Sequence, residues 1–209
     1  MLSTEYFITT KKNWRVWEEK AFRSKLIAWF LVVAALLTFL PFFFQFIQVR
    51  DGVHLNDPFL KILPARDFSI PIFLVIWSCA LLLLISMIRD ARILLNFMAA
   101  YSLLTLFRLI TIYFLPMEPP ENLIALKDPL SNSFYGVSFI TKDLFFSGHT
   151  STLFLIFLSL GNRKFRVFSL IGTCLVGFLL LLQHVHYTID VIFAFPFAYI
   201  TYLLAKRIT

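Results

Sequence analysis

Charge is scarce in this 209-residue chain: Asp, Glu, Lys and Arg make up 15% of it, against 59% hydrophobic residues. That shortage excludes an ordinary soluble domain, which could not bury so much apolar surface. Cysteine is nearly missing as well. Cys79 and Cys174 fall inside apolar runs and lack the paired spacing of a thiolate metal site, so neither a disulfide framework nor a zinc module is expected. The six glycines form no nucleotide-binding loop, and there is no Asn-x-Ser/Thr acceptor to mark a eukaryotic secretory route. Internal repeats and low-complexity tracts are also absent.

What the chain has instead is long apolar runs, with a mean hydropathy of +0.81. About 20 such residues cross a hydrocarbon core roughly 30 Å thick. Six runs qualify: about Leu26 to Gln48, Phe68 to Ile88, Ile93 to Leu115, Leu144 to Leu160, Phe165 to Leu182 and Tyr187 to Ala205. The expectation is an all-α, polytopic membrane protein, a bundle of six transmembrane helices over residues 26–205. An amphipathic segment, residues 1–25, precedes it, and a short basic tail, residues 206–209, follows. A mostly polar stretch of 25 residues stands before the first run, with no Ala-x-Ala site after it, so that run reads as a retained span and not a cleaved signal.

The net charge of +7 does not imply nucleic acid, because its distribution follows the spans. Lys11, Lys12, Arg15, Lys20, Arg23, Lys25, Arg89, Arg92, Arg163, Lys164, Arg166, Lys206 and Arg207 fall on one side. Only Arg50, Lys61, Arg66, Lys127 and Lys142 fall on the other. The positive-inside rule then makes both termini cytoplasmic. Trp14 and Trp17, set among basic residues, suit a segment lying on an anionic leaflet. The short connections are cytoplasmic, whereas the far side carries the long loops Asp51 to Asp67 and Met117 to Thr141, rich in turn formers.

Two runs open on residues that a lipid-facing helix would avoid. "KDLFFSGHTSTLFLIFLSL" (Lys142 to Leu160) begins with Ser147-Gly148-His149-Thr150, and "HVHYTIDVIFAFPFAYITYLLA" (His184 to Ala205) with His184, His186 and Asp190. In the expected topology both sets meet at the outer face. Asp190, four residues after His186, can accept a hydrogen bond from its ring, fixing the tautomer and stabilising an imidazolium. His149 follows Gly148 at a helix N-terminus, where unpaired N–H groups favour anions. Gly148 removes a side chain where a phosphate would approach, and Ser147 can cap the helix or donate to an oxygen. Two histidines facing one phosphorus can divide the work, one attacking while the other protonates the leaving oxygen. A lone histidine at a helix end is an interfacial polar tip as a rule, and His54 and His184 are read so. The set His149, His186 and Asp190 is read as functional, because ionisable groups are costly in a membrane. Arg108, about 10 Å below the end of the third run, either binds phosphate, pairs with Asp143 or Asp190, or snorkels.

These segments resemble a known family. "DLFFSGHT" (Asp143 to Thr150) and "HYTIDVI" (His186 to Ile192) are similar to the two catalytic motifs of the sphingomyelin synthase family, a branch of the type 2 phosphatidic acid phosphatase superfamily. Weaker likenesses stand in "FRLITIYFLP" (Phe107 to Pro116) and "LPARDF" (Leu63 to Phe68). The resemblance implies a six-helix bundle with an exoplasmic site and a phosphotransferase. Such an enzyme takes a phospho-headgroup from a glycerophospholipid donor, releases diacylglycerol, and passes the headgroup to ceramide or a similar lipid alcohol. By that likeness His186, assisted by Asp190, forms a phosphohistidine and His149 is the acid and base. Arg108, Asp143, Ser147, Gly148 and Tyr187 belong to substrate binding, and no metal or other cofactor is implied. Where the family's eukaryotic synthases carry His-Glu-His-Tyr-Thr, this chain has Val185 in place of the glutamate.

Three rivals remain. A lipid phosphatase of the wider superfamily would show a Lys-x6-Arg-Pro motif and an arginine six residues before the catalytic histidine, and position 180 here is Leu180. A dianionic monoester also calls for several cations, whereas one arginine suits a diester. A phospholipase C-type hydrolase would use the same residues with water as acceptor. A non-enzymatic membrane scaffold is the third.

Overall fold

The computed structural model describes residues 16–127 and 140–209. The anchor residues Lys11, Lys12, Trp14 and Arg15, and much of the loop Met117 to Thr141, lie outside the described residues. Helices α1 (Lys20–Gln48), α2 (Pro58–Ile62), α3 (Ser69–Arg89), α4 (Ala91–Phe114), α5 (Gly148–Ser159), α6 (Arg163–Leu182) and α7 (Thr188–Ile208) follow in order. No strand occurs among the described residues, only an isolated parallel bridge between Val53 and Met117.

Among the described residues five helices are long and apolar enough to cross a membrane: α1, α3, α4, α6 and α7. Several such helices make this an integral, multi-pass membrane protein. The fourth expected span differs. Its helix α5 has only 12 residues, about 18 Å at 1.5 Å per residue and short of a core of roughly 30 Å. Residues 140–147 enter it as non-helical chain instead. An apolar run satisfies a helix and a buried extended segment equally well, so composition alone could not place this boundary.

Short α5 is the hub. It packs on α6 and α7, α7 also packs on α4, α3 covers α6, and α1 leans on α4 from outside. Small side chains permit the close approach: Ala99, Ala100, Ala194 and Ala198 are fully buried around Phe146 and Leu155. A Cβ on Gly177 would lie 3.0 Å from Val191 Cγ1, so α6 and α7 nearly touch there. Two buried hydroxyls are satisfied within their own helices, Ser102 donating to Met98 O at 2.8 Å and Thr173 to Ser169 O at 2.7 Å.

With short α5 counted, the helices α1, α3, α4, α5, α6 and α7 run in alternate directions, which sorts the loops to two ends. At one end the Lys25 ammonium donates to Thr209 O (2.8 Å), so the start of α1 and the end of α7 adjoin. At the other end Arg50, just past α1, donates to Ile112 O and Tyr113 O at 2.7 Å each. Arg66 N donates to Leu182 O (2.9 Å) and Ser147 N to Asp190 O (3.0 Å) at this same end. That second end carries the site.

Candidate functional site

Helix α5 begins at Gly148 because Ser147 stops the extended chain and caps it. Ser147 Oγ accepts from Thr150 N (3.4 Å) and donates to Thr150 Oγ1 (3.1 Å), with Ser147 fully buried. Of the two roles its sequence position allows, the structure uses the cap. Gly148 is the closest approach in the site. A Cβ there would collide with the Arg108 guanidinium, lying 2.6 Å from Cζ and 2.9 Å from Nη2. The arginine is therefore pressed against the N-terminal turn of α5.

Arg108 is pinned from two more directions. Its Nη2 donates to Asp143 Oδ1 at 2.5 Å and its Nε to Phe146 O at 3.2 Å. Only 17% of its side chain is exposed, which identifies pairing with Asp143 and not snorkelling to the surface. Burial pushes the Asp143 carboxyl up, but the Arg108 guanidinium, by its charge and hydrogen bond, overrides that and holds it below its ordinary value. The His186 and His149 rings add to this electrostatically, so both histidines lie within reach of one carboxylate. Thr111, one turn after Arg108, places its hydroxyl 3.0 Å from Phe145 O and from Arg108 O, tying the extended segment to α4.

His186 and Asp190 meet, with Nδ1 3.3 Å from Oδ2, and both are buried. The route differs from the expected helical face. Helix α7 begins only at Thr188, so His186 precedes it, and Asp190 turns its carboxylate back over the first turn. The same Oδ2 accepts from Tyr187 N at 3.0 Å. Asp190 Oδ1 is buried with no hydrogen-bond partner among the described residues. Because Nδ1 faces the carboxylate, Nε2 is the nitrogen turned away from it. His149 is half-buried, its ring edge-on to Phe73 of α3 with centroids 6.3 Å apart.

The bond from Ser147 N to Asp190 O joins the start of α5 to the first turn of α7. Two helix N-termini thus converge beside an arginine, an arrangement that favours an anion. Tyr187 turns elsewhere: its hydroxyl donates to Glu118 O (3.0 Å) and accepts from Leu55 N (3.3 Å), holding outer loops.

Sequence reasoning missed Asp57. Its Oδ2 accepts from Thr188 N at 2.7 Å and its Oδ1 from Thr188 Oγ1 at 3.1 Å, capping α7 from a loop 131 residues away. Nothing local in "NDPF" signals a partner so distant. Gln183, fully buried at the α6–α7 turn, was missed for the same reason. Among the described residues no three His, Cys, Asp or Glu side chains gather as a metal-ligating group.

With this geometry in place, residues 142–207 match the family model described as PAP2 superfamily C-terminal. The matched segment begins at Lys142, beside Asp143, and contains α5, α6 and almost all of α7. The match covers less than half of the chain and is a likeness to that superfamily over the segment that carries His149, His186 and Asp190. No curated protein matches the chain.

Proposed function

We propose that this protein is a lipid phosphotransferase that moves a phospho-headgroup from a glycerophospholipid to ceramide or a similar lipid alcohol. His186 Nε2 attacks the donor phosphorus, the bond from phosphorus to the diacylglycerol oxygen breaks, and His149 gives that oxygen its proton. The acceptor hydroxyl then attacks the phosphohistidine, His149 takes its proton back, and the P–N bond breaks to leave His186 free. Asp190 holds the His186 ring with Nδ1 inward and stabilises its positive charge. Arg108 and the N-terminal turn of α5 receive the phosphate oxygens.

The observation that carries this reading is the Arg108–Asp143 pair lying against Gly148, within electrostatic reach of both histidines. Asp143 already balances the charge of Arg108. The site therefore suits the single negative charge of a phosphodiester better than a dianionic monoester, which favours transfer or cleavage of a diester over phosphatidate hydrolysis. The site belongs on the exoplasmic face by the distribution of basic residues.

The test is a liposome assay with purified protein and fluorescent ceramide. Phosphatidylcholine, phosphatidylethanolamine or phosphatidylglycerol serves as donor and His149→Ala as control. A phosphosphingolipid that forms with one donor and needs His149 is the expected result. Diacylglycerol released while ceramide stays unchanged would replace transfer by phospholipase C-type hydrolysis, and no turnover of any diester would sink the reading.

A further inference from the structure

His184 lies two residues before His186, and nothing in the chemistry above employs it. It is 5% exposed and adopts a positive φ of 54°, a conformation that a non-glycine residue holds only when its surroundings fix it. Both ring nitrogens explain the hold. Nδ1 lies 2.9 Å from Glu121 O and Nε2 lies 3.1 Å from Leu63 O. A carbonyl oxygen only accepts. A neutral imidazole has one donor and one acceptor nitrogen, so it satisfies one of these carbonyls and turns a lone pair on the other. Only the imidazolium donates to both.

The neighbouring residue repeats the pattern without a charge. Gln183 Nε2 donates to Ser69 Oγ at 3.0 Å and lies 3.3 Å from Ile124 O, while its Oε1 accepts from Phe68 N at 3.0 Å. Two backbone bonds flank the pair, Ile124 N to Gln183 O (3.1 Å) and Arg66 N to Leu182 O (2.9 Å). The α6–α7 turn is thus clamped to the α2–α3 loop and the α4–α5 loop together. Residues on one short turn hold both, and that turn carries His186.

We infer that His184 is a positioning residue whose imidazolium ties both outer loops to the turn bearing His186, so that the site is fully assembled only while that ring carries two protons. The role rests on the function proposed above, although the tie itself does not. The charged and titratable groups around it come from every element packed there. His54 and Asp57 lie on the loop before α2, Lys61 on α2 and Glu121 on the α4–α5 loop, all lining one cavity of about 640 Å³ with His184. His186, Tyr187 and Asp190 follow on its own chain, Tyr187 lining the same cavity. Asp57 is occupied by Thr188, Phe59 and Leu60, and the Glu121 atom that meets the ring is its backbone oxygen.

Amide hydrogen exchange on the full protein in nanodiscs, corrected for intrinsic rates, tests this at the ends of the range where histidine titrates, about pH 5 and about pH 8. Protection of Arg66 N and Ile124 N should fall at least about tenfold from the lower to the higher pH. His184→Phe keeps a ring and removes both donors, so it should show the low protection at both pH values. Protection independent of pH, or unchanged in His184→Phe, would overturn the inference. Where that variant fails to fold, His184→Arg decides, since its donors persist at both pH values and should hold protection constant. In the lipid assay His184→Phe should lower kcat with KM little changed, and a pure KM effect would contradict positioning. Absence of lipid turnover in the wild type would defeat the proposed function and leave the exchange result standing.

Discussion

A methyl group at Gly148 would strike the Arg108 guanidinium, which is the flexible end of a long side chain, so the arginine would yield before the helix does. Gly148→Ala should therefore leave thermal stability nearly unchanged or slightly raised, since alanine is the better helix former by about 1 kcal/mol. Losing the seat of Arg108 forfeits a charge-assisted contact of about 1.5 to 3 kcal/mol, so kcat/KM should fall about 10- to 100-fold. Steady-state kinetics beside a melting curve checks both halves, and full activity in a folded variant would show that Arg108 need not lie there. Asp190→Asn makes a sharper case. It keeps the shape and removes the charge, so turnover should drop by three to four orders of magnitude, roughly the cost of losing an acid behind a catalytic imidazole. A drop under about tenfold would reduce Asp190 to a helix cap.

Between residue and bundle stand the starts of α5 and α7, each held by a side-chain oxygen. Ser147→Ala should cost about 1 kcal/mol of stability through the lost cap, visible as a lower melting temperature. For α7 the oxygen comes from Asp57. Burial acts to raise its carboxyl, but bonds from Thr188, Leu60 and Phe59 outweigh it and hold it below its ordinary value. A carboxyl lowered on folding adds stability that is complete above its unfolded value, about 3.9, and lost as pH falls through the folded one. Acid unfolding should thus show a limb below about pH 4 that Asp57→Asn removes, and an unchanged limb would detach Asp57 from it. At this scale the sequence was legible where chemistry is local: the polar residues opening two apolar runs and the cap at Ser147. The His186–Asp190 pair was legible too, although a turn and not a helix face brings it together. Asp57, Gln183 and the inward partners of His184 were not legible, because their bonds span 58 to 131 residues and depend on loops that composition leaves open. The shortness of α5 was hidden for another reason, since "DLFF" is as apolar as the helix it precedes.

For the whole molecule, the alternation of helices places Thr209 and Lys61 at opposite ends, and the basic residues crowd the end that holds Thr209. The positive-inside argument puts that end in the cytoplasm. With Cys79 and Cys174 replaced, a cysteine at Lys61 should react with an impermeant maleimide in intact cells, and one at Thr209 only after permeabilisation; the reverse pattern would invert the protein and put the site in the cytoplasm. The all-helical membrane class was readable from apolar runs, whereas the Arg108–Asp143 pair against Gly148 needed three dimensions. The central claim, that His186 attacks phosphorus while His149 handles the proton, is open to direct trial. A donor labelled in its headgroup phosphate is mixed with the protein without acceptor, quenched in alkali, and the labelled peptide is located by mass spectrometry. The account predicts an adduct of the phospho-headgroup on His186, and an adduct on His149, or undiminished turnover in His186→Ala, would contradict it.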